Sequence, residues 1–563
     1  MRWRSARGLA SLLALAAAGG VLDGELPSGP VAAFAFATSL SGGVHVALGE
    51  VVKLRTPLLV QDRPWERRCD NSYPEVIREG ATWRLWYGCV LAGTDFDAGI
   101  GKSRVFGWLH ARSPNGIAWH KPDLGVFDLK GSKAAEVNPA LTALGTRNNI
   151  VLGDGDGVGI LLDPTATDPR QRFKLMGDME APPQTRDKRY ASSPNGLTNW
   201  TSVQPYRPTR IRLAPNASYD WCVPPAPLAG RHRSRGEQPG PHVASDYRVM
   251  TDTHNNMFWD ERKEEYFVTT RVSQTRALAT FRSKTWPPPD DVELVMGMDG
   301  CAYETQVYSQ ITFPWAGVYL GLAAVFYLVP DRIATHLTWS LDGENWSWVA
   351  GKPACLPAPG HERERHFRCT FPKGQPFIPV GEPGAFDEYI TFPSRPVPVS
   401  DAPNANVRIY IAGGNGPHFG SRNTSIGLAM IRADRYVSLT ESRGQAGGAV
   451  IGPLLCTGPL LLITADVGPT GSLAVGLLGA AFSARGGVSM GAAIPLVGAN
   501  VTRAPLRFVG GGDFSAHVGK RVVLEARISS ASLYTVGFGR HPPTTSKAPN
   551  QGRPSDAGGG PSD

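Results

Sequence analysis

A short turn motif recurs along the chain. Ser113-Pro-Asn-Gly-Ile-Ala-Trp119, Ser193-Pro-Asn-Gly-Leu-Thr-Asn-Trp200 and Ser340-Leu-Asp-Gly-Glu-Asn-Trp346 share the form Ser-x-(Asn/Asp)-Gly followed by Trp, and Phe281-Arg-Ser-Lys-Thr-Trp286 is a degenerate copy. Asn-Gly and Asp-Gly favour the positive φ angles of a two-residue hairpin turn, and a Trp on the return strand can pack over it, so each copy predicts an outer β-hairpin. Upstream of the copies lie further strand pairs, such as Val76–Tyr87 around Glu79-Gly80, Met257–Asp260 with Tyr266–Thr269, and Gln310–Phe313 with Val318–Leu322. The pair Tyr389–Phe392 with Val407–Ile411 is followed by Ser425–Ile431. Two strands, a loop and a hairpin make a four-stranded antiparallel unit, and five such units are counted between residues 60 and 435. Their spacing of roughly 50 to 90 residues predicts an all-β chain with a five-bladed β-propeller over 50–435. The competing reading is an irregular set of sandwiches sharing the same turn chemistry.

Composition agrees with that class. Gly and Pro contribute 65 and 48 of the 563 residues, which opposes long helix bundles, while 14 Trp, 21 Phe and 15 Tyr supply a large core. After residue 440 the chain becomes rich in Gly, Ala, Val and Leu with almost no Trp. Its alternating segments, Leu460–Ala465, Ser472–Leu477 and Lys520–Ile528 among them, predict a β-sandwich over 440–540. Residues 541–563 are Pro, Ser, Gly and Asp rich and are expected to be a disordered tail.

The chain opens with Arg2, Arg4 and Arg7 and then the apolar run Leu9–Ala18 ending in small residues, the layout of a signal peptide over 1–20. The expected location is secreted, extracellular or within the secretory pathway, with no membrane span beyond the alternative of an uncleaved N-terminal anchor. Five sequons, at Asn199, Asn216, Asn345, Asn423 and Asn500, fit a glycoprotein. The seven cysteines contain no CxxC. Cys69 with Cys89 and Cys355 with Cys369 are candidate disulfides, and the odd count leaves at least one thiol unpaired. The net charge of +8 is scattered, so no nucleic-acid partner is expected.

In a propeller the starts of the innermost strands converge at one end of the axis, and hydrolysis of a glycoside needs two carboxylates there. Asp70, with Glu75 five residues on, precedes the first inner strand. Asp154 and Asp156 precede the second, Asp252 the third, Glu304 the fourth, and Asp387 and Glu388 the fifth. Asp252, His254 and Asn256 form the densest polar group, and Trp65 and Trp259 are candidates to stack on sugar faces. Asp163 and Asp260 read as strand caps. No cofactor and no metal-ligand set is expected.

The Ser-Pro-Asn-Gly hairpins, Asp252-Thr-His-Asn-Asn-Met-Phe-Trp-Asp260, Gly381-Glu-Pro-Gly-Ala-Phe-Asp387 and Arg435-Tyr-Val-Ser-Leu439 resemble uncharacterised secreted proteins of the five-bladed superfamily of invertases, levansucrases and arabinanases (glycoside hydrolase families 32, 68 and 43). The resemblance covers residues 50 to 540. It implies Asp70 as nucleophile or base, Asp156 or Asp252 steadying an oxocarbenium-like transition state, and Glu304 as acid. The chain lacks the Asn-Asp-Pro-Asn-Gly, Arg-Asp-Pro and Glu-Cys signatures of the invertases. The function expected is therefore a secreted glycosidase-like protein acting on a poly- or oligosaccharide. The alternative is a non-catalytic carbohydrate-binding or surface-interaction protein on the same scaffold.

Overall fold

The computed structural model describes residues 29–93, 104–153, 155–181, 185–206, 210–214, 251–272, 277–289, 292–296, 301–302, 305–328, 330–357, 369–373, 375–402, 404–481, 483 and 487–540. The expected leader, the tail, Asp154, Asn216 and Glu304 lie outside them. The described chain is nearly all β. One five-residue α-helix, Lys133–Val137, and short 3-10 turns are the helical segments among the described residues.

The strands follow one another as antiparallel meanders. Glu75–Glu79, Thr82–Ala92, Val105–Ser113 and Ile150–Gly153 form a first four-stranded sheet. Asp156–Leu162, Phe173–Ala181, Thr185–Ser193 and Thr201–Pro205 form a second. In the third, Thr251–Asp260, Glu265–Val272, Ala277–Ser283 and Glu293–Met296 are joined by a parallel fifth strand, Arg210–Leu213. A ten-stranded sheet follows. One half is built on Thr305–Trp315, Val318–Tyr327 and Arg332–Ser340, the other on Ile390–Pro393, Val407–Gly414 and Thr424–Ile431. Its last edge is covered by Val52–Lys53 from the far N-terminal side, which pairs with Met430 and Ala429. Lys53 also reaches back across the closure, donating to the Asp387 carboxylate at 2.5 Å and the Pro379 carbonyl at 2.7 Å.

The recurring turn motif explains how the sheets meet. In each full copy the serine hydroxyl accepts from the glycine N–H, at 2.8 Å for Ser113 and Gly116, 3.0 Å for Ser193 and Gly196, and 2.8 Å for Ser340 and Gly343. The Asn or Asp side chain accepts from the next two N–H groups, as Asn115 does from Ile117 and Ala118. These are serine- and Asx-capped turns in which the glycine has positive φ, at 70°, 70° and 81°, and the Asn or Asp before it does not. They are therefore not the two-residue turns expected, although outer hairpins do follow, with Ser192 opposite Thr201 and Trp339 opposite Ser347. A Cβ on any of these glycines would strike an aromatic ring of the preceding sheet: Trp86 for Gly196 and Phe267 for Gly343. The degenerate copy does the same through Trp286, whose ring lies 5.1 Å from that of Tyr190. Gly116 of the first sheet packs on Tyr410 of the last, and its carbonyl accepts the Tyr410 hydroxyl at 2.8 Å. Each turn thus clips its sheet onto the one before, and the first onto the last.

Trp86 shows the energetics. It is fully buried, stacks on Trp108 at 6.1 Å, contacts Phe173 of the second sheet at 6.0 Å, and donates its indole N–H to the Gly196 carbonyl at 3.0 Å. Burying such a ring with its one donor satisfied contributes about 2–3 kcal/mol.

Residues from both ends of the chain share a nine-stranded sheet. Its long strands, Leu460–Leu477 and Arg521–Gly539, pair with each other, and Val31–Ala32, Ala37–Ser41 and His45–Leu48 join from the N-terminal side. The composition change at residue 440 gave no hint of these early strands. Ion pairs lock this sheet to the rest: Asp434 with Arg503 at 2.5 Å, and Asp466 with Arg435 at 3.0 Å and with Arg432. No helix among the described residues is long and apolar enough to cross a membrane.

Candidate functional site

Antiparallel neighbours reverse direction, so the start of an innermost strand and the connection between the second and third strands emerge at the same end of a sheet. Thr305 lies opposite Tyr327, and Tyr327 opposite Arg332. Ile390 lies opposite Gly414, and Gly414 opposite Thr424. Asp331 and the loop 415–423 therefore rise beside the inner-strand starts. At that end the described residues form a polar cluster contributed by several sheets.

Glu75 begins the first inner strand and is 2% exposed. Its Oε1 lies 3.0 Å from His254 Nε2 on the inner strand of the third sheet. Tyr73, two residues before Glu75, has φ of 42°, and its ring packs on His254 at 4.9 Å. Asn71 donates to the Tyr73 hydroxyl at 2.6 Å and to the Tyr308 hydroxyl at 3.2 Å, and Tyr308 in turn meets His418 Nε2 at 3.1 Å. Arg271 lies over the Tyr308 ring at 4.2 Å. The result is a continuous network of carboxylate, imidazole, phenol and guanidinium spanning four sheet segments.

Asp70 sits on the loop tied by the Cys69–Cys89 disulfide, the first of the two expected pairs. Its carboxylate is held by Arg68, by Arg104 at 3.2 Å and by Arg422 at 3.5 Å, and its carbonyl accepts the Thr424 hydroxyl at 2.7 Å. Both oxygens of Asp70 are thus engaged by guanidinium groups. Burial lowers the pKa of Arg422, and the Asp70 charge opposes that fall. Burial likewise lowers Arg395, with Glu75 opposing. Asp331, just before the strand Arg332–Ser340, moves the other way. Burial raises its carboxyl above the usual range against the pull of the Phe419 and His418 backbone N–H groups.

The other predicted residues are placed as follows. Asp156 starts the second inner strand, opposite Asp178, which pairs with Lys188 at 3.0 Å. Asp252 is on the third inner strand, opposite Arg271 in register. Asn256 is buried and its Oδ1 accepts the Thr312 N–H at 3.1 Å, joining the third and fourth inner strands. Trp65 is buried and donates to Asn149 Oδ1 at 2.8 Å, and half-buried Trp259 packs edge-on against Tyr266 at 5.0 Å. Asp163 caps its strand end by accepting from Thr165 N at 2.9 Å and from the Tyr266 hydroxyl at 2.7 Å. Asp260 accepts from Arg262 N at 3.2 Å and from the Tyr319 hydroxyl, and pairs with Arg282. The Cys355 and Cys369 side chains lie outside the described ones, and Cys456 is a buried free thiol.

Asn71, Tyr73, His418, Arg422, Arg395 and Asp331 were not singled out from the sequence. The signal was available: the loops between second and third strands open at the same end, and Pro417-His-Phe-Gly-Ser-Arg422 stands out in one of them.

No protein-family model matches the sequence, and no curated protein matches it. Solved structures similar to it are glycoside hydrolases of families 43 and 62. A thermostable family-43 glycoside hydrolase aligns with 66% of this chain and 91% of its own, at 9% identity and a TM-score of 0.34. The catalytic domain of the family-62 α-L-arabinofuranosidase of Coprinopsis cinerea covers 68% and 97%, at 11% identity and a TM-score of 0.37. An exo-β-1,3-galactanase from Phanerochaete chrysosporium, solved with β-1,3-galactotriose, covers 86% and 99%, at 8% identity and a TM-score of 0.33. At this level the likeness assigns no function to the residues above.

Proposed function

We propose that the protein is a secreted, glycosidase-like protein in which the consecutive sheets form a five-bladed β-propeller followed by a β-sandwich, acting on a poly- or oligosaccharide at the propeller mouth. The propeller reading is supported by the cyclic docking of each turn onto the preceding sheet and by the closing strand Val52–Lys53. The sandwich reading is supported by the two long strands, whose register breaks between Val467 and Ser472. Export is supported by the basic-then-apolar N-terminus and the disulfide.

One observation carries the functional reading. Glu75 and His254, 179 positions apart, meet at 3.0 Å at the inner-strand starts, in a cluster with Asp70. A buried carboxylate with an imidazole partner can hold and pass a proton, the task general acid–base catalysis sets. On this reading Asp70 and Glu75 belong to the carboxylate set together with Asp156, Asp252 and Glu304. Asp70, with guanidinium groups on both oxygens, fits a charge-stabilising role better than that of nucleophile or base. The second reading is a carbohydrate-binding protein without turnover.

Labelled glycans incubated with the purified protein separate the two. Turnover that falls by about 10²–10⁴-fold in Glu304→Gln and Glu75→Gln supports hydrolysis. Binding without turnover selects the second reading, and neither binding nor turnover rejects both.

A further inference from the structure

The sequons at Asn199, Asn345, Asn423 and Asn500 fall on described residues, and the structure separates what the sequence motif treats alike. Two of them, Asn199-Trp200-Thr201 and Asn345-Trp346-Ser347, end corresponding turns. In the turn Ser340–Trp346, Asp342 Oδ1 accepts from the Glu344 and Asn345 N–H groups at 2.7 and 2.8 Å, and Oδ2 accepts from Asn345 Nδ2 at 2.7 Å. Half-buried Asn345 thus spends its side-chain amide on its own turn. The turn Ser193–Trp200 is one residue longer. There Thr198 Oγ1 takes the corresponding place, accepting from Asn195 Nδ2 at 2.9 Å. Asn199 follows the turn with φ of 54°, a left-handed conformation that asparagine adopts readily. Asn199 is exposed, as are Asn423 and Asn500. Asn423 closes the loop 415–423 with its backbone, donating its N–H to Asn415 Oδ1 at 2.8 Å and accepting the Asn415 N–H at 3.2 Å. Asn500 opens the strand Asn500–Pro505, opposite Asp466. The side-chain amides of Asn199, Asn423 and Asn500 have no hydrogen-bond partner among the described residues.

We propose that Asn199, Asn423 and Asn500 carry N-linked glycans and that Asn345 stays bare. The assignment rests on the export reading above, because the donor, an oligosaccharide carried on a lipid diphosphate, is met in the secretory pathway. In the transfer the bond between the anomeric carbon and the diphosphate oxygen breaks and a bond from that carbon to Asn Nδ2 forms. The lipid diphosphate leaves with the electron pair, and Nδ2 gives up one proton. At the three exposed positions this costs the fold no hydrogen bond. At Asn345 the transferase competes with Asp342, whose contact closes within three residues and so forms as soon as the turn does. The Asn423 glycan stands next to Arg422, which holds Asp70, and so borders the mouth.

The test is made on the full chain produced with its own leader in its native cells. Enzymatic removal of N-glycans in heavy-oxygen water turns each occupied Asn into labelled Asp, and mass spectrometry of the peptides reads the occupancy site by site. Asn199, Asn423 and Asn500 are expected to be filled in most molecules and Asn345 at least about fivefold less. Asp342→Asn gives the turn the Asn-Gly form of its sister copies, keeping the Oδ1 acceptor and replacing Oδ2 with a donor, so occupancy at Asn345 should rise about threefold or more. The wild-type pattern stands as a test by itself if that variant is not secreted. A secreted wild type in which any of the three is bare in most molecules, or in which Asn345 is filled as fully as they are, overturns the assignment and leaves export standing. Unchanged occupancy at Asn345 in a secreted Asp342→Asn variant overturns the role given to the turn. Protein retained inside the cell with its leader attached overturns the export reading and the glycans with it.

Discussion

His110 and His336 are 3% and 2% exposed, and burial pushes both down from 6.5 to about 3. For His110, the charges of Arg84 and Arg112 add to the fall while the Leu85 backbone opposes it. His336 faces the Tyr327 hydroxyl at 2.8 Å. Both imidazoles stay neutral in the folded protein at pH 5, whereas those of the unfolded chain are protonated. Their contribution to stability is therefore complete above 6.5 and is lost as pH falls toward 3. With 1.36 kcal/mol per pKa unit, going from pH 7.5 to pH 5.0 costs about 2 kcal/mol per histidine and about 4 kcal/mol for the pair. The carboxyls of Glu79, Asp260 and Asp342 are shifted below their ordinary values and act mainly below about pH 5, outside this window. Urea unfolding followed by tryptophan fluorescence at the two pH values, on the wild type and on the double variant His110→Asn, His336→Asn, measures the difference. The wild type should lose about 4 kcal/mol and the double variant less than half of that. A wild-type loss under about 1 kcal/mol, or an equal loss in the double variant, refutes the account of both histidines as buried and neutral.

Two further perturbations test the framework behind the site. Lys121 donates to Glu66 at 2.6 Å, Asp62 at 2.7 Å and the Val60 carbonyl at 2.7 Å, and the Glu66 side chain is fully buried. Lys121→Met leaves that carboxylate with the Tyr87 hydroxyl and two backbone N–H groups, and should destabilise by about 3–5 kcal/mol in chemical denaturation, partly recovered by adding Glu66→Gln. A Cβ at Gly159 would lie 2.2 Å from the Asn255 carbonyl of the adjoining inner strand, so Gly159→Ala should cost about 2 kcal/mol or more, read as a lowered urea midpoint. Gly88→Ala is the control, because its nearest neighbour would be 3.7 Å away; equal effects of the two would refute the close-approach argument.

The turns show which parts of the architecture were legible. Ser-x-Asn-Gly is a local signal, since the serine and asparagine oxygens satisfy backbone donors within five residues, and it announces strand ends wherever the chain goes. Alternating apolar runs announced the strands for the same reason. What the turns dock on was hidden: Gly116 meets Tyr410 and Gly196 meets Trp86, partners 294 and 110 residues away. The strands Ala37–Ser41 and His45–Leu48 were missed because their pairing partners are near residues 450 and 440. For the site, inner-strand starts pointed to Asp70, Asp156 and Asp252. In the sequence Glu75 stands out only as a neighbour of Asp70, and Asp331 and Phe419 lie on connections whose end of the sheet is set by strand direction.

From the chain alone came the β character, the turn chemistry and a roster of acids at strand entrances, because each depends on residues within one or two strands of each other. Tertiary contact decided which of those acids acquired partners. Asp70 drew Arg68, Arg104 and Arg422, and Glu75 drew His254. The strength of a hydrogen bond or ion pair depends on distance and burial, and for Arg422 with Asp70 and His254 with Glu75 both arise only when sheets far apart in the chain are packed together.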